Sequence, residues 1–146
     1  PGTIVVNRHG KRCCDEAFYF AVGQAFCAYD RARAEFTNVP LFWIGDQSYR
    51  DRFVVGPLRR GTDMADWLHR ADTLPELAEQ LGLPAENLVE TVERFNAFAR
   101  QGHDPDFHRG DSYYDVRWGL NYFPDHKPPT LGPVEEPPLH PYHLKI

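Results

Sequence analysis

Histidines and tyrosines are the side chains of this chain that could do chemistry, and most of them stand apart. The seven histidines are scattered along the sequence. The closest pair, His140 and His143, lies in a proline-rich stretch with no Asp or Glu nearby to complete a metal shell. We therefore expect the histidines to be solvated surface residues, and we predict no metal site.

The tyrosines near the C-terminal end leave two interpretations open. Tyr113, Tyr114 and Tyr122 could line a pocket for an apolar ligand. Aromatic side chains in irregular segments more often pin those segments to the core, because such large apolar groups are costly when left in water. We prefer the packing interpretation here.

The cysteines indicate a reducing compartment. Cys13 and Cys14 are adjacent and Cys27 stands alone, so neither a disulfide framework nor a CxxC metal clip can be formed. We expect all three to behave as small buried hydrophobes in a cytoplasmic protein.

The usual self-contained catalytic motifs are absent. No two glycines are one residue apart, which excludes the GxGxxG fingerprint that brings backbone close to a dinucleotide pyrophosphate. There is also no Walker loop, no GxSxG elbow and no HExxH. The chain by itself is predicted to bind no cofactor and to be inactive.

Composition bounds the remaining possibilities. At 146 residues and 42% hydrophobic content, the chain can bury one core and form a single domain over 1–146. A formal net charge of -5 argues against nucleic acid as a partner. The longest apolar stretches are far shorter than the roughly 20 residues of a membrane-spanning helix. Pro1 at the start and a single methionine, Met64, favour a piece of a larger protein.

The first half of the chain predicts strands and one long helix. Residues 3–6 form a β-branched run before Gly10, which suits a tight turn. Residues 15–33 carry apolar side chains at helical spacing, and residues 40–44 form an apolar run typical of a strand buried on both faces. Asp46 is placed to cap a brief helix, and residues 53–72 are predicted to be loops.

Two later helices have clear start and stop signals. Thr73 and Glu76 form a capping box, and Gly82 ends that helix. The next helix opens near Pro84 and closes at Gly102. Its buried stripe is predicted to consist of Leu88, Val92, Phe95 and Ala99. Residues beyond Gly102 are expected to form a long proline-rich coil, which gives an α+β class with few short strands and packed helices.

The motifs together resemble a known family. Residues 2–12 followed by 15–17 are similar to G-x-I-x-V-N-x-x-G-x-R-F-x-N/D-E-A, which opens the capping domain of FAD-dependent fumarate reductases and 3-ketosteroid Δ1-dehydrogenases. Further similar segments follow in the family's order at 44–53, 71–78, 91–96, 102–107, 109–115, 131–133 and 137–139. The later segments resemble the ketosteroid dehydrogenase branch best, and the resemblance covers nearly the whole chain.

This resemblance implies an architecture and a role. It implies a capping domain of the succinate dehydrogenase/fumarate reductase flavoprotein type, which closes over substrate bound to a separate FAD-binding domain of the same parent chain. FAD is then expected in the full-length protein and not in this chain. The implied reaction is hydride transfer between flavin and a substrate carbon, with a protein group moving the proton.

Two residues are implied for the catalytic work. Arg50 falls where fumarate reductases carry an active-site arginine in D-x-S-x-R, and the competing interpretation is an exposed arginine in a polar turn. Tyr19 lies near the tyrosine that helps ketosteroid dehydrogenases to abstract a proton beside the ketone. It comes three residues after Glu16, where the family usually has four. Cys13 also replaces the family's phenylalanine after Arg12.

The substrate class follows from composition. An aromatic content of 14% suits a steroid-like or other hydrophobic ketone or enone better than fumarate, whose two carboxylates need paired Arg and His donors. A non-enzymatic alternative also stands, in which a degenerate cap binds a small ligand or a protein partner.

Overall fold

Short strands and helices follow one another along the chain, and the computed structural model describes residues 2–53, 70–126 and 128–144. The elements in chain order are β1 (Thr3–Val6), α1 (Tyr19–Cys27), β2 (Tyr29–Asp30), β3 (Glu35–Phe36), β4 (Leu41–Gly45), α2 (Gln47–Arg52), α3 (Leu74–Leu81), α4 (Ala85–Gln101), α5 (Tyr113–Tyr122) and β5 (His140–Leu144).

A three-stranded antiparallel sheet in the order β1-β4-β5 brings the two ends of the described chain together. Ile4 pairs with Ile44 in the first ladder, and Trp43 pairs with Tyr142 in the second. The central strand β4 is buried, with Leu41 and Ile44 at 0% exposure. The prediction of a strand buried on both faces is therefore confirmed.

Alternation along β1 divides the core between the two faces of the sheet. Ile4 and Val6 contribute to a larger cluster with side chains of α3 and α4. Val5, between them, contributes to a smaller cluster with Ala25 and Phe26 of α1. This follows from the two-residue period of a strand, which sends successive side chains to opposite faces.

Helices α3 and α4 confirm the predicted start and stop signals. The Thr73 hydroxyl accepts a hydrogen bond from the Glu76 backbone N–H, as a capping box requires. The Glu76 carboxylate accepts from the backbone N–H of Asp72, one residue before the cap. Gly82 and Gly102 close the two helices at φ 66° and 74°, where glycine is favoured.

Helix α1 is shorter than predicted. It ends at Cys27, and the following residues turn back as the β2–β3 hairpin instead of continuing to residue 33. The Asp30 carboxylate accepts backbone N–H bonds from Ala32 and Arg33 at 2.8 and 3.2 Å, and so stabilises that turn. Tyr29, whose spacing from the preceding apolar residues predicted a helix, lies in β2 and is 50% exposed.

The predicted C-terminal coil contains a helix and a strand. Helix α5 begins at a cap in which the Ser112 hydroxyl accepts from the Asp115 backbone N–H at 3.0 Å. Strand β5 accommodates Pro141 because it lies at the edge of the sheet, where a missing N–H donor is tolerated. The predicted loop at 53–72 lies mostly outside the described residues.

Two burial expectations were wrong. Cys14 is buried as expected, but Cys13 is only partly buried and Cys27 is exposed. His140, expected in solvent, is 2% exposed, and its Nε2 lies 2.8 Å from Oε1 of Gln47. None of the helices in the described ranges has the length and apolar character needed to cross a membrane.

Candidate active site

An open aromatic cleft of about 420 Å³ lies between α1, β4, α2 and α5. This volume is within the range of small-molecule binding sites. Its aromatic lining consists of Tyr19, Trp43, Tyr49, Tyr114, Trp118, Tyr122 and Phe123. No single element supplies more than a few of these rings, so the cleft exists only in the folded chain.

One wall of the cleft is a row of rings in contact. Trp43 and Tyr49 lie 5.0 Å apart between ring centroids, and Tyr49 and Phe53 lie 4.7 Å apart. Phe53 then contacts Tyr122 and Phe123 at 5.8 and 5.3 Å. These distances are those of edge-to-face and tilted aromatic pairs, which stabilise the wall beyond the area it buries.

Tyr19 lies at the rim of the cleft. It is the first residue of α1 and its side chain is 62% exposed. Its ring centroid lies 4.1 Å from that of Phe20. The phenol therefore reaches solvent at the mouth of the cleft.

Tyr114 faces the same opening from α5. Its ring contacts Phe18 edge-on at 4.9 Å. Partial burial, the neighbouring Tyr19 phenol and Asp115 together raise the pKa of Tyr114. Tyr114 and Tyr122 line the cleft, as the pocket alternative requires. The preferred packing interpretation is wrong for Tyr113, which is 82% exposed outside the cleft.

A buried ion pair forms the charged part of the cleft floor. Arg109 Nη1 lies 3.3 Å from Glu16 Oε2, and both side chains are at most 4% exposed. Arg109 also donates to the backbone carbonyls of Thr3 and Thr130 at 2.9 and 3.0 Å. The two charges at the floor thus compensate each other.

Arg12 extends this ion pair into the core. Its guanidinium donates to both carboxylate oxygens of Glu16 and of Asp104 at 2.7 to 3.0 Å. The same group lies between the rings of Phe95 and Phe107, 4.7 and 4.9 Å from their centroids. Burial opposes its charge, yet the Glu16 and Asp104 carboxylates raise the pKa of Arg12.

The remaining motif residues also have structural partners. Arg94 makes a two-bond pair with Asp106 at 2.7 and 2.8 Å. The Asn96 side chain both donates to the carbonyl of Val134 and accepts from its N–H. These residues of the family motifs therefore make contacts that hold the C-terminal segment on helix α4.

Arg50 lies apart from the cleft. It is 4% exposed in α2, which excludes the exposed polar turn weighed from the sequence. Burial and then the Arg50 charge lower the pKa of His140. Of the two residues predicted to be catalytic, the structure brings Tyr19 and not Arg50 to the cleft lining.

Metal binding has no support in the part of the chain that the structure describes. No group of three His, Cys, Asp or Glu side chains is placed there to hold an ion. The cleft lining itself contains phenols, other aromatic faces and one compensated ion pair.

No protein-family model matches the chain, but individual relatives do. The chain is 47% identical over 149 residues to 4-oxocyclohexanecarboxylate 2-dehydrogenase of Sinomonas cyclohexanicum, covering 100% of this chain and 25% of that protein. It is 41% identical over 154 residues to 3-oxosteroid 1-dehydrogenase of Mycolicibacterium smegmatis, covering 96% of this chain and 26% of that protein.

A solved structure agrees with these relatives. The crystal structure of 3-ketosteroid Δ1-dehydrogenase from Sterolibacterium denitrificans, in complex with 1,4-androstadiene-3,17-dione, matches with a TM-score of 0.82 and 34% identity, covering 98% of this chain and 26% of that one. The α+β class is thereby confirmed. The chain spans about a quarter of the length of the relatives it matches. By sequence and by structure, the chain belongs to the 3-ketosteroid Δ1-dehydrogenase-like family.

Proposed function

We propose that this chain is the substrate-facing cap, a single domain over 1–146, of an FAD-dependent oxidoreductase that dehydrogenates a cyclic ketone or enone. The observation that carries the proposal is the open aromatic cleft with the Tyr19 phenol at its rim. The relatives named above, two of which are dehydrogenases of oxosteroids or oxocyclohexane carboxylates, support the reaction class.

The cleft is suited to closure by a second surface. Tyr19, Trp118 and Tyr122 are 62%, 47% and 53% exposed at its margin. Contiguous exposed aromatic surface of this kind marks a binding or docking site. We propose that the FAD-binding domain of the same parent chain covers this side, so that substrate lies between the two domains.

The residues present fit only part of the cofactor. Flat aromatic rings in the cleft suit the isoalloxazine ring, whereas the chain has no pair of glycines spaced to approach a pyrophosphate. We assign no residue of this chain to FAD binding. When bound in the parent, the flavin supplies a hydride acceptor at N5.

This chain's residues then orient the substrate and handle the proton. Dehydrogenation removes a hydride, with its electron pair, from one carbon and a proton from its neighbour, and the electron pair that the proton leaves behind forms the new double bond. We propose that the Tyr19 oxygen, as phenolate, takes that proton and becomes the neutral phenol. The Tyr114 hydroxyl, whose pKa is raised, is a hydrogen-bond donor at the same opening. The aromatic walls exclude water from the reacting atoms.

Arg50 is the second residue proposed for proton transfer, on its resemblance to the D-x-S-x-R arginine. It is buried and does not line the cleft. A catalytic role therefore requires α2 to rearrange when the two domains close. The kinetic test of both residues is given in the Discussion.

The cleft favours an uncharged, hydrophobic substrate. Its two buried ionic groups, Glu16 and Arg109, are paired with each other, and its remaining lining is largely aromatic. A dicarboxylate such as fumarate needs cationic donors that can pair with both of its ends. We therefore propose a steroid-like or other hydrophobic ketone or enone as substrate.

Free thiols at Cys13 and Cys14 fit a cytoplasmic location.

The test is to purify the full-length protein that contains this chain and to record its absorbance spectrum. Turnover is then assayed with 4-androstene-3,17-dione and with 4-oxocyclohexanecarboxylate, using a reducible dye to reoxidise the flavin. Bound flavin with turnover of either ketone supports the reaction class, whereas turnover of the carboxylate and not of the steroid would overturn the uncharged, hydrophobic substrate. A protein that binds the steroid but contains no flavin and turns over neither ketone would establish the non-enzymatic alternative.

A further inference from the structure

We propose that Gly119 is a specificity-determining position of the cleft. The absence of a side chain there lets α5 lie directly on a strap formed by Pro128, Pro129 and Thr130. This contact sets the position of the α5 side chains that line the cleft. The inference rests on the proposed function, because it takes the cleft to be the substrate site.

The contact between α5 and the strap leaves no room for a methyl group. A Cβ atom at Gly119 would lie 2.7 Å from Cγ2 of Thr130 and 2.9 Å from Cβ and Cγ of Pro129. Carbon atoms in favourable contact are about 3.5 to 4.0 Å apart. Gly119 does not have a positive φ, so its backbone would accept alanine. Glycine is therefore required here by space and not by conformation, although it weakens a helix relative to alanine.

The strap cannot move aside easily. Pro129 follows Pro128, and proline rings fix the backbone φ of both residues. The carbonyl oxygen of Thr130 accepts a 3.0 Å bond from Arg109 Nε. Arg109 is itself held by Thr3 and Glu16. The next residue, Leu131, is fully buried in the core.

Helix α5 is the partner that would move. Within the described residues, no strand or other helix packs extensively against it. Tyr114 and Trp118 lie on this helix and line the cleft. A side chain at Gly119 would thus displace one wall of the cleft while the floor at Arg109 stayed in place.

Displacement of this wall should lower kcat/KM more for a large substrate than for a small one. A multi-ring enone must contact the wall along its length, whereas a single ring can shift within the cleft. Gly119→Ala in the full-length protein should lower kcat/KM for 4-androstene-3,17-dione by about tenfold relative to 4-oxocyclohexanecarboxylate, the usual effect of one misplaced methyl-sized contact. The change should appear mainly in KM.

Gly23→Ala is the matched control. Gly23 is also a helical glycine, is exposed in α1 and has no atom within 4 Å of an added Cβ. It should leave the ratio of the two kcat/KM values unchanged. The double variant Gly119→Ala/Thr130→Ser removes the shortest of the three contacts and should restore part of that ratio.

Binding separates this proposal from the proposed function. If the wild-type protein turns over neither ketone, the proposed function fails. The Gly119 inference is then judged by the Kd for 1,4-androstadiene-3,17-dione, followed through the fluorescence of Trp43 and Trp118. If Gly119→Ala folds and retains the wild-type ratio or Kd, the inference is wrong. If it does not fold, the double variant is measured in its place. The two Pro129 contacts remain in it, so part of the loss should persist, and a ratio or Kd equal to that of Thr130→Ser alone overturns the inference.

Discussion

The carboxyl group of Asp15, in the segment before α1, interacts electrostatically with that of Asp115, in the first turn of α5. Asp115 is fully buried and its Oδ2 accepts from the Gly110 backbone N–H at 3.1 Å. Burial, together with the charge and hydrogen bond of Asp115, raises the pKa of Asp15 to about 6 against the pull of the nearby Arg109. Asp15 and Asp115 thus lie in the two segments that carry Tyr19 and Tyr114.

This pair predicts a pH dependence of stability with a definite sign. Since the folded-state pKa of Asp15 lies above that of an unfolded aspartate, the folded chain holds the proton more tightly. The resulting stabilisation is complete below about pH 4 and is lost as the pH rises to about 6. Asp15→Asn should stabilise the chain at neutral pH by about 1 kcal/mol, after allowing for solvent screening of a half-exposed group.

The measurement is urea unfolding of the 146-residue chain across this pH range. Asp15→Asn should flatten the decline in stability between about pH 4 and 6. Asp125→Asn, at an exposed aspartate, is the control and should leave the decline unchanged. If stability declines with pH as steeply in Asp15→Asn as in the wild type, the pKa of Asp15 is not raised in the folded state.

Phe95 predicts a large loss of stability on truncation. It is 1% exposed on α4, and its ring lies under the guanidinium groups of both Arg12 and Arg109 at 4.7 and 5.4 Å. Phe95→Ala should lower the free energy of unfolding by about 3 to 5 kcal/mol, as large-to-small core changes do. Phe36→Ala, at a ring that is 48% exposed, should cost much less. A Phe95→Ala chain with an unchanged thermal midpoint would contradict the burial described here.

Asp104 and Asp106 form a matched pair for testing the buried network. Asp104 is fully buried and accepts from Arg12, whereas Asp106 pairs with Arg94 at the surface. Asp104→Asn should cost about 3 kcal/mol, because it leaves the buried Arg12 without one of its charge partners. Asp106→Asn should leave stability nearly unchanged.

The pH profile gives a second readout of the same network. Burial works against ionisation of Asp104, but Arg12 and the backbone N–H groups of Arg109 and Asp106 hold the pKa of Asp104 below its usual value. Its contribution is therefore present above about pH 4 and lost as the pH falls further. Equal effects of the two substitutions would show that the network adds nothing beyond a surface ion pair.

The sequence correctly predicted the helices whose ends are marked by a single capping residue. Thr73, Gly82 and Gly102 mark helix ends because their side chains or φ angles satisfy helix termini locally. Helix α5 carries a comparable signal, Ser112 with Asp115 three residues later. The helix was not predicted because its signal lies among Gly, Asp and Tyr residues and is followed by several prolines, a composition typical of coil.

The cleft was less accessible to sequence reasoning. Trp43, Tyr49 and Tyr114 come from separate elements, and only tertiary packing places them in one lining. The burial of His140 likewise depends on β5 pairing with β4, and a proline-containing edge strand gives little signal of its own. The family motifs were readable in order, yet they mark buried contacts such as Arg12 with Asp104 more than catalytic groups.

The isolated chain is predicted to bind no FAD. It has no glycine pair spaced for a pyrophosphate, and its cleft offers only aromatic surface and one compensated ion pair. Purified 146-residue chain should be colourless and should not retain FAD on a desalting column. Stoichiometric, tight uptake in a titration would show that the cofactor site lies within this chain.

The last prediction concerns Tyr19 and Arg50 in the full-length enzyme. If the Tyr19 oxygen takes the substrate proton, Tyr19→Phe should lower the turnover number by about 10²-fold or more, the usual contribution of a positioned base, with little change in KM. Tyr113→Phe, at a phenol 82% exposed outside the cleft, is the control and should be unaffected.

Arg50→Gln should produce a similar loss of turnover if α2 rearranges on closure. Because Arg50 is buried, its variant must also be checked for flavin content and thermal midpoint. A folded, flavin-loaded Arg50→Gln enzyme with wild-type turnover would leave Tyr19 as the proton acceptor and give Arg50 a structural role in α2. Wild-type turnover in Tyr19→Phe would show instead that its one-residue displacement from the family position has removed it from the chemistry.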